Sequence, residues 1–426
     1  MIRALSTCGL GSLEERCLQI LFVVLSIFVT IYISLFFYKK TLDYLFRELG
    51  SENTFRNSLL LSLINSIPRT LMIFMNLKDS VEDNCSFING LTIYNITLYL
   101  PLLVLSSPNI CYINQNSFLK DFLFLELAFL HSFSNTENSY YYPPLIVHLF
   151  ALGLFVFFIT SVFKLSDIFS GDNSSGLVEA SRLQMFAFHR AFKNIYDVLI
   201  LDLEGIHKFA GRINWRILAS PVLNTLFIIS YNGLWREDRK LLMSFLTAFI
   251  LGIILIRSSK SSNLQIFVYI YAISASIMHV YLFFSSYSYL LNRLAHTYNL
   301  NINYLRTAIL PLLISVVEVF TLLYYSSVGC STLAICSLIY STIYNMLLLR
   351  PLVNIIALKT GLSPSNSQID CNYFCYVFGI VSSLVIIFNY IVRNHKISRD
   401  LSYNLLFTNF FFNISLLLDY RKYILK

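Results

Sequence analysis

Charge is what this chain has least of. Asp, Glu, Lys and Arg make up 13% of its 426 residues, while 56% are hydrophobic. An ordinary soluble domain carries about 25% charged residues. So little charge excludes a soluble enzyme or binding module and points to a polytopic membrane protein. Glycine is scarce too, at 14 residues, about half of the usual ~7%. Stripes of small residues that let membrane helices approach closely are therefore few. The 8 cysteines are scattered, without the CxxC or Cys/His spacing of a zinc site, and read as small apolar fillers. No glycine-rich phosphate loop, nucleophile elbow or His-Glu-x-x-His helix is present. No cofactor is implied. The net charge is +8, yet no basic stretch is interleaved with stacking aromatics. Lys and Arg gather at segment ends, as membrane topology requires, so nucleic acid is not an expected partner. Membrane lipid is.

What is there is a series of apolar runs. A span needs about 20 apolar residues. The first half reads as five spans, near Cys17–Tyr38, Phe55–Asn76, Ser86–Ser107, Ser117–Phe133 and Pro143–Phe163. The second half reads as five more, near Leu264–Leu290, Asn303–Tyr325, Thr332–Leu349, Tyr373–Val392 and Leu401–Leu418. Two weaker runs, Ile217–Trp235 and Leu241–Ile256, make the count ten to twelve. The first run is too long for the h-region of a signal peptide, about 7–15 residues, so it reads as a retained helix. The expected division is a first repeat over 1–163, a cytoplasmic loop with two possible extra helices over 164–263, and a second repeat over 264–426. Within the loop, 183–203 mixes apolar and basic residues at helical spacing, which predicts an amphipathic surface helix. The 37 Phe and 28 Tyr read as lipid-facing filler and interface belts.

Loop charges orient the chain. Lys39, Lys40, Arg47 and Arg56 place the first connection inside. Asp79, Glu82 and Asp83 beside a single Lys78, with the sequon Asn84-Cys85-Ser86, place the second outside. Arg393, Lys396 and Arg399 place the last connection inside. Arg421, Lys422 and Lys426 then end outside, against the bias. Five spans per half is an odd number, so the halves are expected to be inverted, the plan of many secondary transporters.

One tetrapeptide marks the two halves as copies. Thr-Ile-Tyr-Asn begins at Thr92 and again at Thr342, each time with a proline nine residues after the threonine, Pro101 and Pro351. Upstream of each copy an apolar run is interrupted by polar residues. The first interruption is Asn65-Ser66-Ile67-Pro68-Arg69, and the second is Ser315-Val316-Val317-Glu318. Each half therefore sets one charge inside a hydrophobic segment, and an intramembrane charge is functional by default.

These two helices resemble the α-repeats of the sodium/calcium exchanger superfamily, most of all its cation/calcium exchanger branch. Ile64–Arg69 stands over that family's Gly-Asn-Gly-Ala-Pro-Asp motif, and Leu313–Glu318 over Gly-Asn-Ser-x-Gly-Asp. Ser341–Asn345 stands over Gly-Pro-Leu-Phe-Asn. Ser117–Asp121, Ser220-Pro221 and Trp235-Arg236 are weaker matches. Asn65, Pro68, Ser315 and Asn345 keep the family residue. Glu318 replaces the second acid conservatively, Arg69 reverses the first, Ile314 replaces an asparagine, and the flanking glycines are absent. The resemblance implies an all-α fold of two inverted five-helix repeats. It also implies antiport of calcium or another cation against sodium, protons or potassium by alternating access, with inorganic cations as cargo.

Calcium takes six to eight oxygens. Asn65, Ser66, Ser315 and Asn345 offer neutral oxygens, and Glu318 offers a charged one. Pro68 removes a helix hydrogen bond and frees a carbonyl. Asn95 is the repeat equivalent of Asn345. Asn65 and Asn345 read equally as interhelical hydrogen bonds. Neither charge can sit alone in a bilayer, so an Arg69–Glu318 bridge between the repeats is expected, and it would close the site to calcium. Three functions follow: a secondary cation antiporter, an exchanger fold closed by Arg69 and Glu318, and a membrane enzyme working through His148 or His279. The last has no supporting motif.

Overall fold

The structure is a computed structural model. It describes residues 12–48, 54–75, 81–108, 111–112, 115–137, 144–168, 197–201, 215–232, 238–259, 265–298, 302–360, 369–393 and 396–424. They form twelve helices, one short π-helical segment and one two-stranded ribbon. Helix α1 joins Ser12–Ile33 through a π-helical turn, Ser34–Tyr38, to Lys39–Glu48. Next come α2 (Thr54–Met75), α3 (81–106), α4 (Gln115–Glu137) and α5 (Pro144–Ile168). A π-helical segment at Asp197–Leu201 precedes α6 (Trp215–Asn232), α7 (Asp238–Ser259) and α8 (Gln265–Tyr298). The chain ends with α9 (302–327), α10 (331–360), α11 (Ile369–Val392) and α12 (Arg399–Ile424). Strands β1 (Cys111–Tyr112) and β2 (Lys396–Ile397) pair antiparallel. Most of the expected amphipathic helix over 183–203 lies outside the described residues.

Among the described residues, eight helices are long and apolar enough to cross a membrane, and the bent α9 makes a ninth. Two shorter apolar helices, Val23–Ile33 and Trp215–Ser230, fall within α1 and α6. Helix α4, read above as a span, is not among the eight. It carries Lys120, Asp121 and Glu126 along its length. The protein is an all-α integral membrane protein.

The chain forms two compact units. One holds 1–50 and 178–283, the other 51–177 and 284–426. In the first, α6, α7 and α8 close around Leu201, Ile217, Leu255, Val268 and Ala272. The Leu199 carbonyl accepts from Ser220 and Asn224, both at 2.8 Å, and Asn224 bonds His279 at 2.9 Å. His279 is thus a bonded core residue of one unit, and His148 belongs to the other.

In the second unit the packing is crosswise. Helix α2 lies on α10, and α9 lies on α3. Helix α5 lies on α10, α12 on α3, and α4 on α11. Exchanging α2 with α9, α3 with α10, α4 with α11 and α5 with α12 returns the same pairs. Two expectations need correction. Tyrosines do not only line lipid: Tyr38, Tyr94, Tyr340, Tyr376 and Tyr390 are among the largest fully buried side chains. Each hydroxyl of this kind carries a polar end into a core where lipid offers no partner. The sequon asparagine, Asn84, sits inside a helix and is 5% exposed, so the folded chain keeps it from a glycosylating enzyme.

Candidate functional site

The site lies within the second unit, where α2, α9 and α10 meet. Along α2, Ser62, Asn65, Ser66 and Arg69 fall at i, i+3, i+4 and i+7, one face of a helix, and all four are buried. Glu318 stands in the first turn of the second segment of α9. Ser341 and Asn345 lie four residues apart on α10 and share a face.

Arg69 fills the centre. It is 2% exposed and Glu318 is 3% exposed, with Arg69 Nη1 2.6 Å from Glu318 Oε2. Arg69 Nη2 donates to Ser341 Oγ at 2.6 Å and to Ser66 Oγ. Ser66 in turn donates to the Ser62 carbonyl at 2.6 Å. One guanidinium thus ties three helices at a point where the net charge is zero. Removing one partner of such a pair leaves a bare buried charge, a loss of about 3–5 kcal/mol.

The other expected residues surround this centre in different states. Ser315 donates to the Pro311 carbonyl at 2.5 Å and pairs with the Tyr99 hydroxyl. Asn95 donates to Thr342 Oγ1 at 3.2 Å. Among the described residues, both side-chain polar atoms of Asn65 and of Asn345 are buried with no partner, as are Asn95 Oδ1 and Glu318 Oε1. A void of about 10 Å³ lies beside Asn95 and Thr342, enough for about one water-sized sphere. Among the described residues no three His, Cys, Asp or Glu side chains converge as a metal site.

Backbone breaks frame the site, though not where Pro68 led us to expect one. Helix α2 continues through Pro68 from Thr54 to Met75. The bend is in α9, whose two segments meet at 50° across Ser315. In α3 and α10 the shared tetrapeptide has a backbone meaning. Each Asn opens a π-helical turn, Asn95–Tyr99 and Asn345–Leu349, and each turn ends just before the shared proline. A third π turn, Leu305–Ile309, ends just before Pro311. Proline lacks an N–H and its ring collides with the carbonyl four residues back. A widened turn relieves that collision and leaves carbonyls short of donors.

Ser341 and Tyr99 were not anticipated as site residues. Ser341 lies one position before the repeated tetrapeptide, where the first copy has Leu91, so comparing the halves hides it. Tyr99 sits inside its π turn, opposite a leucine, Leu349, in the other copy.

No protein-family model matches the chain, and no curated protein does. Solved structures do match. The sodium-calcium exchanger NCX_Mj, soaked with sodium and strontium, superposes with a TM-score of 0.51 at 11% identity. That match covers 92% of this chain and 96% of the exchanger. The H+/Ca2+ exchanger CAX gives 0.51 at 13% identity, over 100% of this chain and 95% of that one. At these identities the likeness is one of architecture: this chain has the fold of the cation exchangers.

Proposed function

We propose that this is an exchanger-fold membrane protein whose central cation seat is filled by its own arginine, so that calcium is not carried there while Arg69 stays in place. The observation that carries this reading is the three-way hold on Arg69 by Glu318, Ser341 and Ser66. A doubly charged cation about 5 Å from a guanidinium is repelled by about 6–7 kcal/mol at an effective dielectric of about 20. The single carboxylate offered by Glu318 is engaged by the guanidinium.

An inverted arrangement of the two halves belongs to this reading. Strand pairing of β1 with β2 sets the α3–α4 and α11–α12 connections at one end of the unit. Ser107, after α3, bonds Ser331, at the start of α10, at 2.6 Å, which sets the α9–α10 connection at that end too. Repeats of the same sense would put those connections at opposite ends, so the pairings support inversion.

A second reading keeps cation antiport by alternating access. It is favoured by the unpartnered buried oxygens of Asn65, Asn95, Asn345 and Glu318, acceptors a small cation would take if Arg69 swung aside. One experiment separates the two. Purified protein in sealed vesicles is given radiolabelled calcium under outward sodium, potassium and proton gradients in turn. Uptake no greater than in empty vesicles is expected, with no melting shift by calcium or sodium. Gradient-driven uptake would establish the second reading instead. Arg69→Asp, which restores two acids, is expected to gain a calcium-dependent rise in melting temperature through ligand linkage.

A further inference from the structure

Arg350 is held quite differently from Arg69. It is buried, at 7% exposed, and it lies inside the candidate span Ser331–Lys359. Among the described residues its Nη1 has no hydrogen-bond partner, and no carboxylate pairs with its guanidinium. Its contact is the ring of Tyr376 on α11, whose centroid lies 4.9 Å from Cζ. A ring face offsets part of a cation's charge, but it carries no net charge and takes no N–H in the guanidinium plane. Asn89 donates to the hydroxyl of that ring at 3.1 Å, which holds the ring in place. Two imidazoles feel the charge of Arg350, His131 on α4 and His148 on α5. Either can donate or accept a hydrogen bond, and neither can be negative. His148 is 6% exposed, and among the described residues its Nδ1 is buried with no partner.

Packing alone does not call for a cation here. In the first copy of the repeated tetrapeptide the residue before the proline is Leu100, and it is buried as well. A charge at bilayer depth without a counter-charge costs far more than a leucine would. What these surroundings lack is one negative charge. A single guanidinium is balanced by a single charge, so the partner is monovalent. It is also small, since Nη1 of Arg350 and Nδ1 of His148 are both closed off from solvent. We propose that Arg350 and His148 hold a small monovalent anion, of the size and chemistry of chloride, inside the second unit, with the ring of Tyr376 on the other side of the guanidinium.

The test uses the full-length chain purified in a neutral detergent and exchanged into sodium gluconate, whose anion is too large for the site. Radiolabelled chloride is titrated at constant ionic strength, and melting is followed in parallel. One saturable chloride per chain is expected, with melting raised by about 3–5 °C at about a hundredfold excess over Kd. His148→Phe should weaken binding about tenfold, through loss of one hydrogen bond to an ion. Arg350→Met should abolish both the binding and the melting response. In gluconate it should melt no lower than the parent, because the bare charge is gone. Lys359→Gln, which removes an exposed charge from the same helix, should change neither. Absence of saturable chloride binding by the parent overturns the proposal, whether or not the variants fold. So does chloride binding that Arg350→Met leaves intact. An Arg350→Met chain destabilised to the same extent in chloride and in gluconate also overturns it, because the counter-charge then belongs to the chain itself.

Discussion

Arg69 and Glu318 were legible in the sequence, because a bilayer forces each lone charge to find a partner and the two-repeat reading expected the two positions to correspond. Ser341 was not legible, since a serine in an apolar run carries no signal until a guanidinium is set beside it. The pair makes a sharp prediction. Arg69→Leu and Glu318→Leu should each destabilise by about 3–5 kcal/mol, since each leaves the other charge buried and unpaired. The double variant should lose much less than the sum, because residues in contact are not additive. Melting in urea or heat decides it, and full additivity would mean that the two do not depend on each other. Ser341→Ala removes one acceptor from the same guanidinium (Nη2 to Oγ, 2.6 Å). A loss of about 1–3 kcal/mol is expected, and it should vanish in the Arg69→Leu background.

At the scale of helices, the repeated proline mattered more than the proline in the motif. Pro68 is absorbed by a continuous α2, while Pro101, Pro311 and Pro351 each follow a π turn. Sequence showed where the prolines were but not how each helix would accommodate them, because that depends on what packs against the freed carbonyl. Thr307 shows the dependence. It lies four residues before Pro311, and its carbonyl oxygen sits against Gly90 of α3, where a Cβ would overlap it. The obstacle is backbone on both sides, so it cannot be relieved by a rotamer change. Gly90→Ala should therefore force α3 away from α9 and destabilise by about 1–3 kcal/mol. Gly153 in α5 has nothing within 4 Å of an added Cβ. Gly153→Ala should gain up to about 1 kcal/mol from helix propensity and a stiffer unfolded chain. Opposite signs in a melting comparison are the expected outcome. Two losses of equal size would show that the close approach at Gly90 has no special weight.

For the molecule as a whole, hydropathy gave the class, and the odd number of spans per half gave the expectation of inversion. What it could not give was the division into units, since 1–50 joins 178–283 through packing that skips over four helices. The sense of the halves can be tested directly. The two-residue strand pair is the key, because Cys111 faces Ile397 and Tyr112 faces Lys396. The connections after α3 and after α11 must therefore share a side. Helix α3 is a candidate span, so the α2–α3 connection takes the other side, and the reading of five spans per half carries α4 across as well and puts the α4–α5 connection there too. With Arg393, Lys396 and Arg399 beside the ribbon, the positive-inside bias assigns the ribbon side to the cytoplasm. Sequon-bearing insertions at 76–80, 138–143 and 361–368 should then be glycosylated in a microsomal assay, and insertions at 113–114, 394–395 and near Asn194 should not. Modification of an insertion at 113–114 but not of one at 394–395 would separate two connections that the strand pair holds together. Modification near Asn194 alone would leave the ribbon intact. It would instead remove the assignment of the 164–263 segment to the cytoplasmic face.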